Sequence, residues 1–173
     1  MHRREFTLAA LCTVLAACDL PGAQVGGGGV YQIRERDHDE ITQRMLDSVN
    51  TLRRGAGAQP VDLSPALTAS AQLHANDMSR QQRAWPFGSD GASPYDRLRR
   101  GGYGGALVGE AYAQTFETEM EILAAWVENG AWGDQILDPA ATDMGFAWHQ
   151  DQNGLIWWAI TMGNRYGNPS STV

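Results

Sequence analysis

The chain has 173 residues, 43% of them hydrophobic, which suits one domain with a core of its own and leaves no room for a second of ordinary size. Its formal net charge is −7, and all 13 cationic side chains are Arg, because Lys is absent. That balance excludes the basic footprint of a nucleic-acid-binding surface and a polybasic membrane patch.

The N-terminus stands apart. Arg3 and Arg4 precede an apolar run from Leu8 to Ala17, too short to span a bilayer, which reads as the core of an export signal over residues 1–17. Leu15-Ala16-Ala17-Cys18 closes the run and resembles a bacterial lipobox, in which the cysteine is lipidated and becomes the new N-terminus. His2-Arg3-Arg4-Glu5-Phe6 also resembles a twin-arginine signal. The two cysteines, Cys12 and Cys18, both lie here, so no internal disulfide is expected in the mature domain. Cleavage takes Arg3, Arg4 and Glu5 from totals of 13 and 20 and leaves 11 cations against 19 acids, a net of −8. Acyl chains on Cys18, at about 0.8 kcal/mol per buried CH₂, would hold the domain on a membrane. Residues 18–36, with four consecutive glycines from Gly26 to Gly29, read as a flexible tether.

Order is expected from Asp37, with a domain over 37–167. Ile41, Met45, Val49 and Leu52 recur at helical steps and Gly55 is a stop, which predicts a first helix. Ser64-Pro65 is a strong helix start: the hydroxyl accepts an orphan N–H and the proline ring presets φ. The helix predicted from there to about Gln81 puts Leu67, Ala71, His74 and Met78 on one face. A histidine so placed is either a core residue bonded to a fixed partner or the lining of a cavity, and spacing alone favours the first. Ser93-Pro94 starts a short helix to Arg100, ended by Gly101 and Gly102; Arg97, Arg99 and Arg100 read as its solvated, dipole-complementing end, with no function assigned. A loop carrying Tyr103 and Glu110 follows. Thr118 and Glu121 fit a capping box for a helix to about Asn129, with Ile122 and Trp126 inward. Met144–His149 and Leu155–Met162 are aromatic and β-branched runs around an Asp151–Gly154 turn, hence a hairpin. Bulky apolar groups on both faces of its strands require cover on both faces, an α+β sandwich. Residues 168–173 read as a frayed tail.

Several short motifs then fall in a telling order: Leu52-Arg53, Gly57, Leu63-Ser64-Pro65-Ala66-Leu67, Ala71 to Met78, Gly88-Ser89-Asp90-Gly91, Asp96-Arg97-Leu98, Gly102-Tyr103, Gly109-Glu110, Ile136-Leu137-Asp138-Pro139 and Met144-Gly145. Over roughly residues 40–163 the series resembles bacterial members of the CAP superfamily, named for cysteine-rich secretory proteins, antigen 5 and pathogenesis-related proteins. The resemblance implies an α-β-α sandwich with a small antiparallel sheet. It also implies a central cavity in which two histidines and the glutamate matching Glu110 can hold a divalent metal. This chain departs from that pattern, with Pro86 and Trp132 at the two histidine positions and Ala111 where an asparagine commonly follows the glutamate. His74 and Glu110 remain, and Glu128 is a further acidic candidate near the second lost position.

Three readings compete. The first, favoured by the lost histidines, is a lipid-anchored, non-catalytic binding or scaffold module of the bacterial envelope, on its periplasmic face, engaging an envelope protein, a lipid or a peptide. The second is a divergent hydrolase or protease, for which Ser89 and Ser93 are available, although turn and cap positions explain both. The third is a metal site rebuilt from His74, Glu110 and Glu128; zinc needs about three protein ligands, so the first two alone are too few. The first reading expects no catalytic residue and no cofactor, and gives His74 and Glu110 a structural role, bonded to each other or to backbone.

Overall fold

The computed structural model describes residues 31–168. The expected export signal, the lipidation residue Cys18, the tether as far as residue 30 and the tail beyond 168 lie outside them. The packed part reaches back past Asp37, into the stretch expected to be tether. The Ile33 N–H donates to Gln150 Oε1 (2.8 Å), and Gln150 Nε2 donates to the Tyr31 carbonyl (2.9 Å).

A short 3₁₀ turn, Glu35–Asp37, leads into α1 (His38–Gly55). Ile41, Met45 and Val49 face inward as their spacing predicts. The next inward residue is Arg53, four positions on; Leu52, expected on that face, is exposed. Helix α2 (Pro65–Gln81) begins where Ser64-Pro65 predicts, with the Ser64 hydroxyl accepting from the Leu67 N–H, and ends at Gln82 in the left-handed region (φ 49°). Leu67, Ala71, His74 and Met78 are all buried. Helix α3 (Pro94–Arg100) is capped by a reciprocal pair, Ser93 hydroxyl and Asp96 carboxylate. The Thr118 and Glu121 box starts α4 (Glu119–Glu128). A fifth helix, α5 (Gly130–Leu137), was not expected; the extended backbone of Asn129 (ψ 104°) separates it from α4.

The sheet contains β1 (Asp62–Leu63), β2 (Ala106–Gln114), β3 (Asp143–Gln150) and β4 (Ile156–Asn164), in the order β1-β3-β4-β2. The predicted hairpin is β3–β4, and β2 runs antiparallel to β4. Two-residue β1 pairs parallel with β3, so the sheet is antiparallel except at that edge. Strand β2 replaces the expected loop, and Glu110 lies on it. Its alternation is hidden in the sequence because the register slips between Leu107 and Gly109, a bulge that changes the phase of the inward residues.

Alternation along the hairpin separates two cores. Met144, Phe146, Ile156, Trp158, Ile160 and Met162 join α1, α4 and α5 in the larger one, through Met45, Val49, Ile122, Trp126 and Ile136. On the opposite face Ala147, Trp157 and Ala159 meet Ala71, Ala75 and Met78 of α2. Beside Trp157 the strands present small residues there, Gly145, Ala147 and Ala159, and a Cβ on Gly145 would stand 2.0 Å from the carbonyl carbon of Leu67. The result is an α-β-α sandwich in which α2 lies hard against the sheet. His74, midway along α2, is thereby brought to the strands.

Candidate functional site

Three elements deliver one buried polar cluster. Strand alternation turns Glu110 and Tyr112 of β2 toward α2, where His74 stands with its ring edge-on to Tyr112 at 4.8 Å. From α3 comes Arg97, which is buried and not part of the solvated helix end expected for it; only Arg99 and Arg100 remain exposed. The reason lies in the stripe Pro94, Arg97, Leu98, Gly101, spaced three, four and seven apart, which faces α2 closely enough that a Cβ on Gly101 would meet the Ala66 carbonyl at 2.5 Å. Arg97 Nη2 donates to Glu110 Oε1 at 2.6 Å, and Nη1 donates to the carbonyls of Pro86 (2.7 Å) and Ala92 (3.4 Å). Because β2 is the outer strand, the Glu110 N–H finds no strand partner on that side; it donates instead to Gln135 Oε1 of α5 (2.9 Å).

The protonation states follow from these contacts. His74 Nε2 lies 2.9 Å from the Trp85 carbonyl, which can only accept, so the proton sits on Nε2. Nδ1 then presents a bare lone pair 3.7 Å from Glu110 Oε2 and makes no hydrogen bond among the described residues. Burial, aided by the Arg97 charge, pushes the His74 pKa from 6.5 down to about 4, so the imidazole is neutral at pH 7. Burial raises the Glu110 carboxyl and the Arg97 guanidinium opposes it. Burial and the Glu110 charge raise the Tyr112 hydroxyl.

A pH dependence follows. A histidine whose folded pKa lies below its unfolded value contributes stability that is complete above the unfolded pKa and is lost as pH falls to the folded one. For His74 the window is from 6.5 to about 4, worth on the order of 3 kcal/mol at 1.36 kcal/mol per unit. Glu110, raised, acts with the opposite sign. The advantage of wild type over His74→Gln in chemical denaturation is therefore expected to shrink from pH 7 to pH 4, whereas a constant difference would mean that His74 does not titrate in that window.

The other sequence candidates fall elsewhere. Glu128 is exposed at the end of α4, where it borders an apolar groove lined by Leu52, Met120, Leu123 and Val127. Among the described residues no three His, Cys, Asp or Glu side chains gather as a metal-binding group, so His74, Glu110 and Glu128 do not form a rebuilt site. Trp132, at the second lost histidine position, packs its ring on Tyr112 at 5.7 Å, extending the column that begins at His74. Pro86, at the first, offers only its carbonyl, which Arg97 takes. The Ser89 hydroxyl donates to Asp77 Oδ1 (2.9 Å) and the Ser93 hydroxyl, which caps α3, donates to Asp96 Oδ2 (2.7 Å), so both are engaged in turn and cap structure and neither faces the Glu110 cluster. The donors left facing the cluster are Glu110 Oε2 and His74 Nδ1, short of the three that zinc needs, with a guanidinium beside them. Two unit charges about 4 Å apart interact by roughly 4 kcal/mol at an effective dielectric near 20, and a divalent ion doubles the repulsion. The arrangement does not fit a metal. Of the functional residues, reasoning from sequence misses Arg97 and Gln135. The signal for Arg97 was its place beside Leu98 on the inner stripe of α3; for Gln135 there was none.

This three-layer sandwich with a buried polar cluster between α2, α3 and β2 defines the class of domain. The CAP model, the cysteine-rich secretory protein family, matches residues 46–162, and the chain belongs to that family. YkwD of Bacillus subtilis is 24% identical over 115 residues, which are 66% of this chain and 44% of YkwD, so the chain spans less than half of that relative. Among solved structures, an outer surface protein of Borrelia burgdorferi aligns with a TM-score of 0.68 at 14% identity, covering 75% of this chain and 96% of that one. An extracellular protein containing an SCP domain, from Bacillus anthracis, aligns with a TM-score of 0.65 at 18% identity, covering 73% and 43%. At such identities the likeness concerns the fold.

Proposed function

We propose that the chain is a lipid-anchored module of the bacterial cell envelope that binds or scaffolds an envelope protein, lipid or peptide and performs no chemistry of its own. The observation that carries the reading is the closure of the cluster: the Glu110 carboxylate is held by a buried guanidinium at 2.6 Å, and His74 donates to a backbone carbonyl. A general base needs a nucleophile or water within hydrogen-bond reach, and both serine candidates are engaged in local structure. The envelope setting is supported by the lipobox at Cys18 and by relatives described as an outer surface protein and an extracellular protein. No helix among the described residues is long and apolar enough to cross a membrane.

Two measurements test this. In fractionated cells, Cys18→Ala is expected to move the protein from the membrane to the soluble fraction; retention in the membrane would overturn the anchor. Peptide and ester hydrolysis by the wild type is expected to be absent. Turnover that disappears in Glu110→Gln without loss of thermal stability would overturn the non-catalytic role.

A further inference from the structure

We propose that the Arg97 guanidinium is itself the resident cation of this cavity, and that it excludes a metal ion independently of the missing histidines. Four observations meet on this residue. It is 1% exposed, so its charge is fully committed to the interior. It bonds Glu110 Oε1, the one carboxylate that resemblance to the family makes a metal ligand. Its other terminal nitrogen is aimed by the Pro86 carbonyl, the backbone of the first lost histidine position. It comes from α3, whose docking on α2 is so close that Gly101 admits no side chain.

Charge balance points the same way. A buried carboxylate requires a cation or a proton close by. Arg97 supplies the cation as a fixed, planar donor with a pKa too high to be discharged. His74 adds none, because its proton is bound to a carbonyl and its free nitrogen is bare. The Glu110–Arg97 pair is electrically complete, and the other buried carboxylate whose charge reaches His74, Asp77, is bonded to Arg80 (2.6 Å), so among the described residues a second cation would find no unpaired carboxylate there. Restoring the two histidines would supply ligands without removing this competitor.

This deepens the reading of a closed cavity and shares its premise that Glu110 is not a free ligand, but the two fail separately. Hydrolytic turnover would sink the non-catalytic reading and leave the resident cation standing, whereas the outcomes below concern metal alone. The experiment is zinc titration by calorimetry and by thermal melting of the detergent-solubilised full chain in three forms: wild type, Pro86→His with Trp132→His, and that pair combined with Arg97→Met. Wild type and the double variant are expected to show no binding and no change in melting temperature. The triple variant is expected to bind at least on the order of a hundredfold more tightly than the double variant, as release of a nearby positive charge demands, and to melt higher with zinc than without. If it is unfolded without metal, folding on addition of zinc supports the proposal, because the ion then replaces the lost guanidinium. Zinc binding by the double variant equal to that of the triple overturns it. So does binding by the wild type, or a triple variant that zinc neither binds nor folds.

Discussion

Replacing Arg97 by Met is expected to destabilise the domain by about 3–5 kcal/mol, the usual effect of removing one partner of a buried ion pair and leaving the other charge uncompensated. The loss is in Glu110 more than in Arg97. Glu110 is 9% exposed, burial already raises its carboxyl, and the guanidinium is what opposes that rise. Without Arg97 the carboxyl is driven further up. Such a group binds a proton in the folded state before it does in the unfolded one, so the deficit should shrink as pH falls from neutrality toward ordinary glutamate values. Combining Arg97→Met with Glu110→Gln removes both charges and should recover most of the loss, because an uncharged, filled interior tolerates the site well. Denaturant unfolding of the two single variants and the double, at pH 7 and pH 5, completes the cycle. Additive losses with no pH dependence would mean that the two side chains do not act as a pair.

Arg53→Met is expected to be of similar size for a different reason. Arg53 is fully buried and, among the described residues, has no carboxylate bonded to it; it donates to the carbonyls of Gln59 (2.8 Å), Ile136 (2.7 Å), Asp138 (3.0 Å) and Ala141 (3.0 Å). Two of these lie at the end of α5, where orphan carbonyls and the helix dipole favour a cation. Burial lowers the Arg53 pKa, with Asp138 nearby opposing. Methionine fills the volume and takes the guanidinium donor from all four carbonyls, of which Asp138 keeps the Ala141 N–H (3.0 Å). At roughly 1–3 kcal/mol for each fully buried carbonyl and less for the others, the total is about 4 kcal/mol. In a domain of this size that lowers the melting temperature by roughly 10–15 °C. Lys keeps the charge but not the fork, and should restore only part of the loss. A change below about 1 kcal/mol would show that water reaches these carbonyls instead.

The contrast between these two arginines and α2 explains what a sequence reveals. Ser64-Pro65 and the spacing of Leu67, Ala71, His74 and Met78 are local instructions, each satisfied within a few residues, and α2 forms where they say. The hairpin is equally plain, because alternating aromatic residues need two covered faces. Strand β2 was hidden because Gly109 and the bulge before it break the alternation that would announce a strand. Arg97 lies in a seven-residue helix with two other arginines, and the one local cue that distinguishes the buried one, its place beside Leu98, is too short a pattern to outweigh the run of charge at the helix end. Its identity is set by α2 pressing on α3. The departures at Pro86 and Trp132 were legible as losses, yet not what took their place: a carbonyl for Arg97 and a ring against Tyr112. Glu128 looked close to Trp132 by number, but extended Asn129 between them starts a new helix in another direction and carries Trp132 to the cluster without it.

The attachment of Tyr31 and Ile33 to Gln150 has a mechanical meaning. Gln150 closes β3, its amide also holds Gly154 in the hairpin turn (3.0 Å), and the His38 ring meets Trp148 nearby at 4.8 Å. Tension arriving along the chain from its N-terminal side therefore enters at the turn end of the sheet. It falls first on the two hydrogen bonds of Gln150 and on Ile33, which packs against the larger core. They act as a fuse. Parting them lengthens the slack by the few residues before α1 while Ile41, Met45 and Val49 stay seated, so a domain tugged from that side yields a short length of chain before any strain reaches α2, α3 or β2.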